Sequence, residues 1–304
     1  MLISSAGVLA CDRAPAPGNR ESTVGVPTDS TGALPSAGPV ASGWNVDAGP
    51  FLVLPTVDGG LAAGSVLRPE STELTVGDTV GIGVELGDGQ VELFARGGRV
   101  GTARLTVESA SRSEPGCTAW PVARLAVADG SSAPWTAAFA KGRVVAIALD
   151  SIEGLSSRDS TRLAVDLARL ASALPDDTVA TFRGLPFVVL RAWRTKGLET
   201  DFIVATLARR VNQEDAPREE RLVVVVDQTG ADSRKWAVAW HERASGSEDE
   251  LVVAEPLLAF RAGRSGDVHL LFGRDDGVAL GAAVLTRGTA GWRLQWESAV
   301  AGCN

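Results

Sequence analysis

Tyrosine is missing from this 304-residue chain, and only two histidines occur, His241 and His269. Without a phenol a common general acid is gone, and two imidazoles leave little scope for histidine-based catalysis. The three cysteines, Cys11, Cys117 and Cys303, have no histidine near them in sequence and form no CxxC pair, so they supply no recognisable zinc set. No apolar run approaches the roughly 20 residues that a helix needs to cross a bilayer. Positive charge is the scarcer sign: 29 Lys and Arg face 37 Asp and Glu, a net charge of −8. An acidic surface repels phosphate backbones, which argues against nucleic acid as a partner. The nearest approach to a basic patch is Arg209, Arg210, Arg218 and Arg221, interleaved with Glu214, Asp215, Glu219 and Glu220. Such a mixture reads as a solvated loop with its flanking strand ends.

What the chain has is short apolar segments punctuated by turn residues, the mark of a mainly β protein. Phe51–Leu54, Glu73–Val76, Val80–Leu86, Gln90–Ala95, Val100–Val107, Thr118–Val127 and Val144–Leu149 read as strands. Gly97-Gly98 between two of them signals a tight hairpin, because glycine accepts a positive φ. One helix is expected, at about 158–174. Ser156 or Ser157 can cap it, Leu163, Leu167, Leu170 and Leu174 recur at helical spacing, and Pro175 stops it.

Beyond residue 178 the chain reads as a meander of about seven or eight antiparallel strands, suited to a sandwich, a barrel or propeller-like blades. Leu222–Val226 is apolar on both faces and belongs inside a sheet. Trp236, Val238 and Trp240 are expected on one face of their strand, as are Trp292, Leu294 and Trp296. The paired tryptophans hint at a duplicated strand. The expected division is a tail over 1–43, a small β domain over 44–130, and an α+β domain over 131–304 with a boundary near 129–134.

Residues 1–11 read MLISSAGVLAC, and Val8-Leu9-Ala10-Cys11 resembles the bacterial lipobox. The resemblance implies cleavage before Cys11, acylation of its thiol and new amino group, and anchoring in a bilayer. Two or more acyl chains hold where one does not, at about 0.8 kcal/mol per buried CH₂. Leu9 is bulkier than the lipobox prefers, and no Lys or Arg precedes the apolar stretch; a start upstream of Met1 would supply that charge. The competing reading is a frayed terminus with a chance cysteine.

Residues 12–43 are rich in Pro, Ser, Gly, Ala and Thr. Such a stretch buries too little surface to offset its ordering entropy and reads as a disordered tether, about 30 Å in span as a flexible coil. With Cys11 acylated, Cys117 and Cys303 remain as an even pair in an exported chain, where a disulfide between them is expected; the competing reading is two free buried thiols. Glu73–Glu85, ELTVGDTVGIGVE, resembles strand-turn-strand pieces of Ig-like bacterial β-sandwiches.

The candidate chemistry is sparse. Asp150 and Glu153 follow a strand and precede the helix, a placement that could divide acid and base roles or hold a metal, and that a polar loop also explains. His241 and His269 could meet across strands as metal ligands, with Glu242 or Asp267 as a third. A satisfied structural or surface histidine is the simpler account. His241 lies in WHER, and Ser245 breaks an HExxH motif. Gly263-Arg264-Ser265-Gly266 is not a nucleophile elbow, and Arg274-Asp275-Asp276-Gly277 lacks the alternating oxygens of a Ca²⁺ loop. Gly81, Gly83 and Gly87 are wrongly spaced for a dinucleotide fingerprint. No cofactor is implied. Trp240 or Trp296, if exposed, could stack on sugars or peptides; core packing is the default.

These features favour a non-catalytic lipoprotein in the cell envelope, facing periplasm or surface, that binds a protein or small-molecule partner or supports an envelope assembly. The alternatives are an envelope hydrolase using Asp150 and Glu153, and a small-ligand carrier with the site inside a barrel. A soluble location is the alternative to the envelope.

Overall fold

A computed structural model of the chain describes residues 43–56, 62–69, 89–109, 117–118, 120–127, 133–175, 180–211, 218–230, 235–247, 251, 253–263, 266–275, 279–298 and 301–303. Cys11, nearly all of the expected tether, Glu73–Glu85 and Gly87 lie outside these residues. The described chain is mainly β, with antiparallel pairing throughout and one α-helix among the described residues. Both a barrel and a sandwich are present.

Six strands close the barrel in the order β1-β2-β6-β4-β3-β7: β1 (Leu52–Pro55), β2 (Ala63–Leu67), β3 (Gln90–Ala95), β4 (Gly98–Ser109), β6 (Val122–Val127) and β7 (Ala137–Ala140). The barrel therefore takes its closing strand from beyond the loop expected to divide the chain near 130. Alternation along each strand splits the side chains between two cores. Val53, Val66, Leu93, Leu105, Leu125 and Ala138 point inward and occupy the interior, where a small ligand would have to sit. Leu52, Leu54, Leu67, Phe94 and Phe139 point outward, into a second apolar cluster. β3 and β4 join through Arg96-Gly97, and Gly98 adopts φ +134°, which a side chain rarely tolerates.

The expected meander divides into two sheets that pack face to face. The first, in the order β13-β12-β11-β10-β9, contains β9 (Asp150–Ser151), β10 (Val188–Arg194), β11 (Phe202–Val211), β12 (Arg218–Gln228) and β13 (Trp236–Ser247). The second contains β5 (Cys117–Thr118), β8 (Val144–Ile147), β14 (Val253–Ala262), β15 (Val268–Asp275), β16 (Ala279–Gly288), β17 (Gly291–Glu297) and β18 (Ala301–Cys303).

Strand alternation reads out the layering. Phe202, Val204, Val223 and Val225 of the first sheet share a core with Ala259, Leu270, Phe272 and Leu285 of the second. Ile203, Ala205, Leu222 and Val224 face the other way, onto Leu163, Leu167 and Ala171 of helix α1 (Ser157–Ser172). Leu258, Phe260, Leu271 and Val284 face the barrel. The order of layers is helix, five-stranded sheet, seven-stranded sheet, barrel. Leu222–Val226 is buried on both faces, as its composition predicts.

Helix α1 starts and stops for local reasons. The Ser156 hydroxyl donates to Asp159 Oδ2 at 2.8 Å and accepts from the Asp159 amide at 3.2 Å, a reciprocal cap close to the capping-box pattern. The stripe Leu163, Leu167, Ala171 is buried, and Pro175 follows the last turn.

Two strand-face expectations need correction. Both tryptophan pairs straddle a β-bulge. Val225 pairs with Trp240 but Val226 with Val238, leaving Ala239 as the extra residue. Val284 pairs with Trp296 but Leu285 with Leu294, leaving Gln295 extra. One inserted residue inverts the alternation beyond it. Trp236 and Val238 therefore pack toward the helix, whereas Trp240 turns into the inter-sheet core against Phe272. Trp292 packs edge-on to Phe202, and Trp296 edge-on to Trp44 on the barrel side. Leu294 is left exposed at 40%.

A third correction concerns the charged stretch around residue 210. Strand pairing runs further than expected and places Arg209 opposite Glu220 and Arg210 opposite Glu219. Glu219 and Glu220 are 1% and 0% exposed. They are part of a buried ion-pair ladder, not a solvated face; the connecting residues 212–217 lie outside the described ones.

Candidate functional site

The sequence candidates are scattered through this frame. Asp150 opens β9, half-exposed, and pairs with Lys196 Nζ at 2.9 Å. Glu153 lies on the 3-10 turn Ile152–Gly154, with its side chain exposed and its amide donating to Ser151 Oγ at 3.2 Å. The turn is stabilised by that serine cap. Neither carboxylate lines the clefts described below.

The two histidines do not meet. His241 is exposed on β13, an edge strand. His269 is 1% exposed, on the barrel-facing side of β15, stacked on the Phe260 ring at 5.0 Å between centroids. Its partners define its state. Asn45 Nδ2 lies 3.3 Å from Nε2, and Thr286 Oγ1 lies 2.8 Å from Nδ1. Thr286 in turn donates to Gln295 Oε1. The arrangement suits a neutral ring that accepts at Nε2 and donates at Nδ1. Burial pushes the His269 pKa below its ordinary 6.5, and the nearby Asp267 carboxylate offsets part of that. Among the described residues no group of three or more His, Cys, Asp or Glu could hold a metal ion.

This histidine carries a pH dependence. The unfolded chain takes up a proton below about 6.5 and the folded chain only at lower pH, so the unfolded state holds more protons in that window. Stability is then complete above the window and declines as pH falls through it, by at most about 1.4 kcal/mol per pH unit. Denaturant titrations at pH 7.5 and 5.5 are expected to show this loss, and His269→Gln to remove the histidine's share of it.

The cysteines give the clearest juxtaposition. β5 and β18 pair so that Cys117 stands directly opposite Cys303 across an antiparallel ladder. Residues facing each other in this way have Cα atoms about 4.5–5.5 Å apart, inside the range that a disulfide spans.

Among the described residues, two clefts lie elsewhere, where α1 crosses the ends of the five-stranded sheet. A cleft of about 300 Å³ is lined by Leu155, Asp159, Arg162, Leu163, Arg194, Thr195, Lys196, Asp201, Gln228 and Trp236. A second, of about 270 Å³, shares Trp236 and is bordered by Asp166, Arg169, Leu170, Thr229 and Lys235. One indole is thus a wall common to both.

The polar residues around the first cleft are unequally satisfied. Asp159 is held by the helix cap, Asp201 accepts from the Leu198 amide at 3.0 Å, and Lys196 is paired with Asp150. The Thr195 hydroxyl is committed to the Phe202 backbone. Arg194 differs: among the described residues its buried Nε–H meets no acceptor and its guanidinium no carboxylate. Sequence reasoning passed over Arg194, Arg162 and Lys196, which carry no spacing signal, and placed Trp236 only on a strand face shared with Val238 and Trp240. Trp240 and Trp296, the tryptophans considered for stacking, point into cores.

Comparison with known proteins returned no match: no family model, no curated protein and no solved structure is significantly similar to this chain.

Proposed function

We propose that this chain is an exported, lipid-anchored binding protein of a bacterial cell envelope, held to the membrane through Cys11 and without catalytic chemistry of its own. The observation that carries the exported reading is the register of Cys117 against Cys303. Two cysteines 186 positions apart in sequence, brought face to face, suit a protein that matures where disulfides form. We read them as a disulfide. The lipobox-like Val8–Cys11 and the Pro- and Ser-rich stretch behind it support the anchor. No helix among the described residues is long and apolar enough to cross a membrane, and an acylated cysteine needs none.

A binding role is supported by the character of the cleft under α1, which combines an aromatic wall with an unsatisfied guanidinium. The hydrolase alternative finds less support, because Asp150 is tied to Lys196 and Glu153 faces outward.

The test is fractionation of cells expressing the wild type and Cys11→Ser, with metabolic labelling by a radioactive fatty acid. Wild type is expected in the membrane pellet with label, and Cys11→Ser in the soluble fraction without it. Equal fractionation with no label on either protein would remove the anchor.

A further inference from the structure

We infer that the cleft under α1 binds an acidic saccharide, with Arg194 taking its carboxylate or phosphate and Trp236 taking one face of its ring. The inference deepens the binding role proposed above and rests on that reading, but not on the anchor.

The argument starts from what Arg194 lacks. A buried guanidinium N–H with no acceptor keeps its desolvation cost without recompense. The fold has supplied carboxylates to comparable arginines: Arg209 has Glu220, Arg287 has Asp227, and Arg274 has Glu242 and Glu297. At Arg194 neither acid of the cleft forms an ion pair among the described residues: Asp159 accepts from the Ser156 cap through Oδ2 and Asp201 from the Leu198 amide through Oδ1, each with its second carboxylate oxygen to spare. Arg162, on the helix side of the same cleft, also makes no ion pair among the described residues. Two guanidiniums that line one cleft and form no ion pair among the described residues match an external oxyanion, which a guanidinium fork can grip through two hydrogen bonds.

The remaining lining selects the body of the ligand. Leu155, Leu163 and Trp236 are the apolar part; Asp159, Asp201 and Gln228 supply acceptors and an amide. An acyl chain would strand those polar groups, whereas sugar hydroxyls satisfy them while the ring's C–H face lies on the indole. The volume, near the lower end of ligand sites, fits a single ring. The second cleft across Trp236 can take a neighbouring ring of an oligosaccharide.

The test uses the full chain carrying Cys11→Ser, ¹⁵N-labelled, with the indole N–H resonance of Trp236 identified by its loss in Trp236→Phe. Three probes are titrated: D-glucuronate, α-D-glucose 1-phosphate and D-glucose. The acidic probes are expected to shift the Trp236 resonance and to bind at least tenfold more tightly than glucose. The ratio between glucuronate and glucose 1-phosphate tells which acid group the site prefers. Arg194→Gln is expected to erase the tenfold preference, with an unfolding midpoint no lower than wild type, because Arg194 makes no internal ion pair. Arg194→Lys is expected to restore part of it as a point charge. Trp236→Phe, followed through the backbone amide resonances instead, is expected to weaken the acidic and neutral probes alike. Glucose binding as tightly as the acids, an unchanged preference in Arg194→Gln, or no response of the Trp236 resonance to any probe would each overturn the assignment. None of these outcomes moves the Cys11 fractionation result, so the ligand and the anchor fail separately.

Discussion

Glu220→Gln is expected to destabilise the protein by about 3–5 kcal/mol, the cost of leaving a buried charge without its partner. The Glu220 side chain is 0% exposed and that of Arg209 4%. Arg209 donates to Glu220 through Nε and to the Leu185 carbonyl through Nη1 at 3.3 Å, and it lies 4.6 Å above the Phe187 ring. Glutamine keeps the shape of Glu220 but not the charge, so the guanidinium loses this carboxylate while staying in place. Arg243, 3.7 Å from the other Glu220 oxygen, loses the same carboxylate.

The double variant Arg209→Met with Glu220→Leu is expected to recover part of the loss, since a buried pair is costly to break and cheap to replace by apolar side chains of similar volume. Recovery stays incomplete because Arg243 still lacks Glu220. Urea unfolding of the wild type, both singles and the double closes the cycle. A loss below about 1 kcal/mol in Glu220→Gln, the range of exposed pairs, would mean that water reaches this ladder.

Reduction of protein prepared under oxidising conditions is expected to produce the second large effect. If Cys117 and Cys303 are bonded, the bridge closes a loop of nearly the whole folded region, and dithiothreitol or Cys117→Ser lowers stability by up to about 5 kcal/mol in the chain-entropy account. The measurement is guanidinium unfolding with and without reductant, beside a thiol count on the denatured protein. Oxidised wild type with Cys11→Ser is expected to show no free thiol, and the same chain made in a reducing cytosol two. Two free thiols in the oxidised sample would show that the facing backbone positions are not bonded. The bridge would tie β5 to β18, short strands that pair through only two register positions, Gly302 with Thr118 and Cys303 with Cys117. Such a brief ladder has little of its own to hold it.

The helix was legible in the sequence because every signal for it is local. Serine cap, leucine spacing and terminal proline all lie within one stretch of chain, and the observed Ser157–Ser172 falls within two residues of the expectation. Gln90–Ala95 was legible for the same reason, its bounds falling where composition changes. The faces of β13 and β17 were not. A bulge is set by what the neighbouring strand offers, and nothing in WAVAW or WRLQW announces that Ala239 or Gln295 will be skipped. Arg194 and Trp236 were hidden for a related reason: they lie 42 positions apart in sequence, and only the crossing of α1 over the sheet ends makes them walls of one cleft.

The sequence by itself determined the β-rich character, the helix at Ser157–Ser172, the apolar strand interiors and the cysteine inventory, since composition and short-range periodicity report directly on local backbone preference and burial. The tertiary structure alone decided that the strands divide into a barrel and a two-sheet sandwich, that Glu219 and Glu220 are buried against arginines instead of solvated, and that Cys117 faces Cys303. Each of these depends on how separate strands register and pack. Register is chosen by the fit of whole faces, where one inserted residue reverses every side chain beyond it.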